Sequence, residues 1–296
     1  MRHKTNLAPS IEDLRRLFEV ERYYTELILA SPKGSEERRR VLREGYDIVA
    51  SIHNYLDEKY HRQPEDPYAV SGLFELVAES FRPGRMLEIG CGDGRLSVAL
   101  ATTGCYVVGL DVSELQIEAA QKLSEKRGVQ SLCAFVLEDF TSFEDALGFD
   151  VILSDQVIEH IHPDEVDDFF SKSFRLLHPG GVLIISTPSR ITGPHDVSKF
   201  FVPRGTPARG FHLREYSLGD LVALYQRHGF VNLSCPLSHP KVCRMIGYYK
   251  WSPLYLRKSL IFEKVFALLP PPLRSDLLVK LFAHVLLCGQ RPATGE

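Results

Sequence analysis

Arg85-Met86-Leu87-Glu88-Ile89-Gly90-Cys91-Gly92-Asp93-Gly94, followed by Tyr106-Val107-Val108-Gly109-Leu110-Asp111, decides the fold of this chain. An apolar strand runs into three glycines at alternate positions, and a second apolar strand ends in an acid. Glycines at that spacing let the backbone turn sharply and approach a bound molecule with no Cβ in the way. A carboxylate at the tip of the neighbouring strand suits the paired hydroxyls of a ribose. The pattern reads as a cradle for an adenosine-bearing cofactor; a glycine-rich strand-to-helix turn without a ligand is the plainer alternative.

The dinucleotide fingerprint G-x-G-x-x-G requires Gly or Ala in its last place, where this chain has Arg95. What remains is Glu88-x-Gly90-x-Gly92-x-Gly94, and further landmarks follow it. Leu132 to Leu137 is a short apolar segment ending in Glu138-Asp139-Phe140. Phe149 to Ser154 is another, and His178-Pro179-Gly180-Gly181 leads into Val182 to Ser186. In this order, from Gly84 to Pro188, the landmarks resemble the class I S-adenosylmethionine-dependent methyltransferases, in particular the ubiquinone-biosynthesis-like branch that shares Glu159-His160. A weaker continuation runs from Phe211 to Cys235.

The resemblance implies an α/β fold: a doubly wound, mostly parallel, seven-stranded, Rossmann-like sheet with an antiparallel ending. It implies S-adenosyl-L-methionine as cofactor. Glu88, Gly90, Gly92 and Gly94 would line its methionine and ribose side. Asp111, with Val112 beside it, would hold the ribose hydroxyls, and Asp139 and Phe140 the adenine. Ser154, Asp155 and Gln156 would border the methyl group.

The acceptor is approached by elimination. The segment after the fourth strand lacks the Asn/Asp-Pro-Pro-aromatic pattern of amino-methylating nucleic-acid enzymes, and no Pro-Cys dipeptide of the cytosine C5 type occurs anywhere. A net charge of −3 and a pI near 6.4 argue against a general nucleic-acid binder. Oxygen on a small or lipid-like molecule is the expected target, with His160 and His212 as candidate catalytic residues. Some relatives hold a divalent cation with E-x-x-E-H. Here Gln156 stands at the first acid, and an amide is a poorer ligand for a hard cation than a carboxylate. No metal is therefore assigned, although Glu159, His160 and His212 form a conceivable triad. Two alternatives stay open: a metal-assisted RNA 2′-O-methyltransferase, and a non-catalytic protein that only binds the cofactor.

Outward from this core, strands and helices alternate, as a parallel sheet covered on both faces requires. The 296 residues divide into a helical cap over 1–66, a cofactor-binding core over 67–235, a basic aromatic insertion over 236–280 and a last strand with its tail over 281–296. Ser10 and Asp13 mark the start of a first helix, and Glu36 to Tyr60 gives a second. The 188–210 connection carries His195, Lys199, Arg204 and Arg209 and reads as a lid or a solvated loop.

Residues 241–280 hold eight basic residues against two acids, with Tyr248, Tyr249, Trp251, Tyr255, Phe262 and Phe266 interleaved. That mixture suits either peripheral contact with an anionic membrane or a segment packed on the core. Oligomeric state is not legible. Six cysteines show no metal-ligand spacing, no signal-peptide pattern is evident, and no apolar run approaches the roughly eighteen residues of a membrane span. A cytoplasmic location is the expectation.

Overall fold

The computed structural model describes residues 8–60, 73–81, 84–236, 250–269 and 283–293. Its centre is a sheet of strands β1 (Arg85–Ile89), β2 (Tyr106–Asp111), β3 (Cys133–Leu137), β4 (Phe149–Asp155), β5 (Leu177–Pro188), β6 (Val231–Pro236), β7 (Trp251–Ser252) and β8 (His284–Gln290). Their order is β3-β2-β1-β4-β5-β8-β6-β7. The first five pair in parallel, and β8 joins β5 and β6 antiparallel. Seven strands were expected. The eighth, β7, is a two-residue strand that pairs with the end of β6 through Cys235 and Pro236.

Period-two side-chain alternation splits the core into two layers. Leu87, Ile89, Val108, Leu110, Ile152, Leu183 and Ile185 face one side of the sheet. There they meet Phe169 and Phe170 of helix α6 (Val166–Leu176) and Tyr225 of helix α7 (Leu218–Arg227). Met86, Val107, Val151, Leu153, Val182 and Ile184 face the other side. They cover helices α3 (Leu73–Ser80) and α4 (Arg95–Ala101) through Val77, Leu96 and Leu100. Burying each such side chain contributes about 1.5–3 kcal/mol. Helix α5 (Glu114–Arg127) completes the βα units.

Helices α1 (Ile11–Ala30) and α2 (Glu36–Lys59) form an antiparallel pair with its own apolar seam, including Leu14, Leu17, Ile28, Val41, Val49 and Leu56. Ser10 caps α1 by accepting from the amide of Asp13, and Ser35 caps α2 by accepting from that of Arg38. The pair is tied down where the parallel strands end. Buried Arg38 pairs with Asp164 at 2.6 Å and Glu165 at 2.8 Å, and Ser113 donates to Asp47 at 2.8 Å. Thr25 donates to the carbonyl of Gly210, and the amide of Phe211 donates to Glu21 at 3.0 Å.

The 188–210 connection packs against α1 through its first half, which is therefore not a solvated loop. Thr192, Asp196, Val197 and Ser198 are buried, and Asp196 accepts from the amides of Ser198 and Gly210. Lys199, Arg204 and Arg209 lie on its exposed side. Of the insertion, β7 and helix α8 (Pro253–Leu268) lie within the described residues; Tyr248 and Tyr249 lie outside them. Among the described residues no helix is long and apolar enough to cross a membrane.

Burial and the nearby Asp196 raise the Glu21 carboxyl from its ordinary 4.5 to about 7. The folded state therefore binds that proton more tightly than the unfolded chain, so this group costs stability as pH rises from 4.5 to 7, and fully above 7. Glu21→Gln keeps an acceptor for the Phe211 amide. Denaturant titrations across that window should show a flatter pH dependence and a more stable variant above pH 7; an unchanged slope would contradict the assignment.

Candidate active site

The strand order reverses between β1 and β4, and crevices beyond the carboxyl ends of strands at such a switch point are where open α/β sheets bind ligands. A cavity of about 270 Å³ opens there. Gly90, Gly92, Asp111, Val112, Asp139, Phe140, Gln156 and His160 line it.

The loop after β1 needs its glycines. Gly90 has φ +70°, and a Cβ on it would come within 2.4 Å of the Val157 side chain. Gly94 has φ +77°, and a Cβ there would lie 2.6 Å from that of Ala120. Between them, the amide of Gly92 donates to Asp111 at 2.9 Å, and that of Ser113 donates to the other carboxylate oxygen at 2.9 Å. The two amides fix the carboxylate at the cavity wall, while burial raises its pKa. Asp139 is oriented in a similar way by the amide and hydroxyl of Thr141, at 2.7 and 2.6 Å. Phe140 beside it meets Phe169 edge-on.

Five of the residues singled out from sequence stand behind the cavity wall instead. Glu88 is buried against α4, where it accepts from the Ser97 hydroxyl; burial raises it to about 8. Gly94 is the residue before α4, Ser154 is fully buried in β4, and Asp155 ends that strand. His212 lies beyond His160, their ring centres 5.0 Å apart. Just after β4, Gln156 adopts φ +59°, its amide donating to the Ser186 carbonyl and its side-chain nitrogen to the Ser186 hydroxyl. Its side chain is thus directed to β5.

The two histidines have defined tautomers. His160 Nδ1 lies 3.0 Å from the Phe211 carbonyl, so it must donate, leaving Nε2 as an acceptor. His212 Nδ1 lies 2.9 Å from Glu215, a carboxylate that also receives the His195 amide. Burial, and then His212, push His160 down to about 3. Burial raises Glu159 to about 7; one of its oxygens accepts from Thr187, and the other, Oε1, is buried with no partner. One ligand-capable atom each of Glu159, His160 and His212 lies within 4.8 Å of the others. Two imidazoles held from behind by a carbonyl and a carboxylate, with an orphaned carboxylate oxygen, form a donor set that fits a divalent cation.

The cap supplies what the sequence left unassigned. Ile28, Arg38, Leu42, Tyr46 and Ala50 line the far side of the cavity. Tyr46 is edge-on to His160 at 5.4 Å and to Phe211 at 4.9 Å. Leu42, Tyr46 and Ala50 recur at helical spacing on α2, a second stripe beside the one that packs on α1. His195 lies off the cavity, bonded to Thr192 and the Ser189 carbonyl.

A methyltransferase-domain family model matches residues 87–185. The chain carries a class I S-adenosylmethionine-dependent methyltransferase domain. A probable S-adenosylmethionine-dependent methyltransferase of Mycolicibacterium smegmatis is 33% identical over 160 residues, 53% of this chain and 56% of that protein. A ubiquinone biosynthesis O-methyltransferase of Mesorhizobium japonicum is 34% identical over 151 residues, 48% and 59% of the two chains. The methyltransferase match thus spans less than two thirds of these relatives.

Two solved structures share the fold. The 4+2 cyclase SpnF has a TM-score of 0.56 at 18% identity, covering 86% of this chain and 97% of that one. The 1,6-didemethyltoxoflavin-N1-methyltransferase of Burkholderia thailandensis has a TM-score of 0.53 at 19%, covering 88% and 92%.

Two substitutions test the cradle. Asp111→Ala should weaken S-adenosylhomocysteine binding by about 1–3 kcal/mol, the range for hydrogen bonds to a charged group, with unchanged calorimetric affinity as the contrary result. Gly90→Ala should both destabilise the fold and abolish binding, since the backbone there is left-handed and the added methyl collides with Val157; a normally folded, binding-competent variant would refute that.

Proposed function

We propose that this chain transfers the methyl group of S-adenosylmethionine to a hydroxyl of a small, largely apolar acceptor. The observation that carries this is the continuity of one cavity, from Asp111 and Asp139 at the cofactor end, past His160, to Ile28, Leu42, Tyr46 and Ala50 of the cap. Apart from Arg38, whose guanidinium is paired with Asp164 and Glu165, the cap wall is apolar, which supports a small-molecule or lipid-like acceptor over a charged polymer.

The sulfonium carries its own activation, so the protein's main task is in-line alignment in a dry pocket; such positioning is worth about 7–11 kcal/mol. Asp111 would hold the ribose and Asp139 and Phe140 the adenine, while Gly90 and Gly92 let the backbone approach. Glu88, Gly94, Ser154 and Asp155 would act from behind, shaping the loop and the end of β4, while Gln156 would border the methyl group from the cavity wall. His160 is the group suited to the acceptor: its Nε2 accepts a hydrogen bond and can orient a hydroxyl. With a pKa near 3 it is a weak base, so orientation is its main contribution.

A second reading is favoured by the orphaned Glu159 oxygen. Glu159, His160 and His212 would hold a divalent cation, which when bound would lower the pKa of an acceptor hydroxyl. RNA as the acceptor has less support, since the chain is acidic overall and the cavity's cap wall is largely apolar.

Incubation with methyl-labelled S-adenosylmethionine and a cell extract, followed by solvent partition, should place label in a low-molecular-weight or lipid fraction. Label in RNA, or none, would contradict the proposal. His160→Ala should lower turnover far more than cofactor affinity, and a wild-type rate would demote it to a structural role. Chelation by EDTA should abolish turnover under the metal-assisted reading and leave it intact otherwise.

A further inference from the structure

Helix α8 shows two chemically different faces. Leu256 and Phe266 are buried inward, against the segment that includes β6 and α7. Glu263, the helix's only acid, also points inward: its two oxygens accept from the amides of Leu218 at 2.7 Å and Gly219 at 2.9 Å, at the start of α7. Its charge is therefore held at a helix N-terminus, where the backbone dipole favours it.

The outward face is apolar along its centre. Leu254, Ile261, Val265 and Leu268 are 57%, 65%, 55% and 84% exposed. At 100° per residue they fall within about 60° of one another, a single stripe along the helix. Arg257 and Lys264 flank the stripe on one side and Lys258 on the other, all three exposed. Four aliphatic side chains facing water, Leu254 one turn before Arg257 and Lys258 and the other three after them, are a standing cost in apolar hydration, and the three cations beside them carry no acid on the same face. A stripe of this width with cations on both margins matches the interface of a bilayer, where the aliphatic groups enter the acyl boundary and long basic side chains reach back to phosphate.

We propose that the exposed face of α8 is a docking surface for an anionic lipid membrane, with Leu254, Ile261, Val265 and Leu268 inserting and Arg257, Lys258 and Lys264 meeting the headgroups. Charge complementarity selects this occupant. A second copy of the chain would bring like-charged margins against each other, because an isologous contact sets the same patch against itself. The surface differs from the one composition suggests. Of the described aromatic residues in the insertion, Trp251 is turned inward, its ring nitrogen donating to the Leu76 carbonyl at 3.4 Å, Phe266 is buried, and Phe262, 38% exposed, lies beyond Lys258 and outside the stripe. The inserting groups are aliphatic.

The test is vesicle co-sedimentation of the full chain and is independent of methyl transfer. The wild type should pellet with phosphatidylcholine–phosphatidylglycerol vesicles, much less with phosphatidylcholine alone, and release in high salt. Neutralising Arg257, Lys258 and Lys264 to Gln should weaken binding about fivefold per cation. Ile261→Ser with Leu268→Ser should weaken it while leaving S-adenosylhomocysteine affinity unchanged. The proposal is overturned if the wild type ignores anionic vesicles, or if the charge-neutralised variant binds as well as the wild type. It is equally overturned if light scattering shows a dimer that the double serine variant dissociates while vesicles are not bound.

Discussion

The carboxylate of Asp111 is the constraint around which the rest is arranged. It closes the glycine loop by accepting the Gly92 amide, and it fixes the start of the next loop by accepting the Ser113 amide. Two neighbouring parallel strands are thereby held at the depth that leaves a cavity beyond their ends. Ser113 then donates to Asp47 of the cap, so the Asp111 carboxylate is linked through one residue to the helix whose Leu42, Tyr46 and Ala50 line the cavity. The glycine loop and the cap are thereby joined.

Two parts of the molecule meet at this linkage. The glycine loop and the acid at the tip of β2 form one wall of the cavity, and the cap forms the other. The cap is held by polar ties, among them Arg38 to Asp164 and Glu165, Glu21 to the Phe211 amide and Thr25 to the Gly210 carbonyl. Apolar contacts add to them: Phe18 stacks on Phe201, and Tyr46 meets Phe211 and His160 edge-on. A cyclase and an N-methyltransferase share the fold at 18% and 19% identity, and a fold by itself does not fix a function.

The strands were legible because buried parallel strands read as apolar runs bounded by glycine and turn residues. β1 to β4 were read to within a residue of their observed ends, and the two-residue β7 was not read at all. β5 was read short because His178 to Gly181 resembles a turn; in the fold, the Gly180 amide donates to the Arg291 carbonyl and Gln290 donates back, a pairing with distant chain that no local pattern reveals. The same blindness affected the site. The spacing of Glu88 and Gly94 is visible in the motif, yet their burial depends on Ser97 and Ala120 of the helices that cover them. Tyr46 and Arg38 went unnoticed because an amphipathic helix shows which side chains are apolar, and not which of two partners each will face.

A cradle built this way should be specific for a sulfonium nucleoside. Equilibrium dialysis of the purified chain with labelled S-adenosylmethionine measures this directly. One saturable site, displaced by S-adenosylhomocysteine and indifferent to NAD, is the predicted result. No uptake, or displacement by NAD at similar concentration, would contradict it.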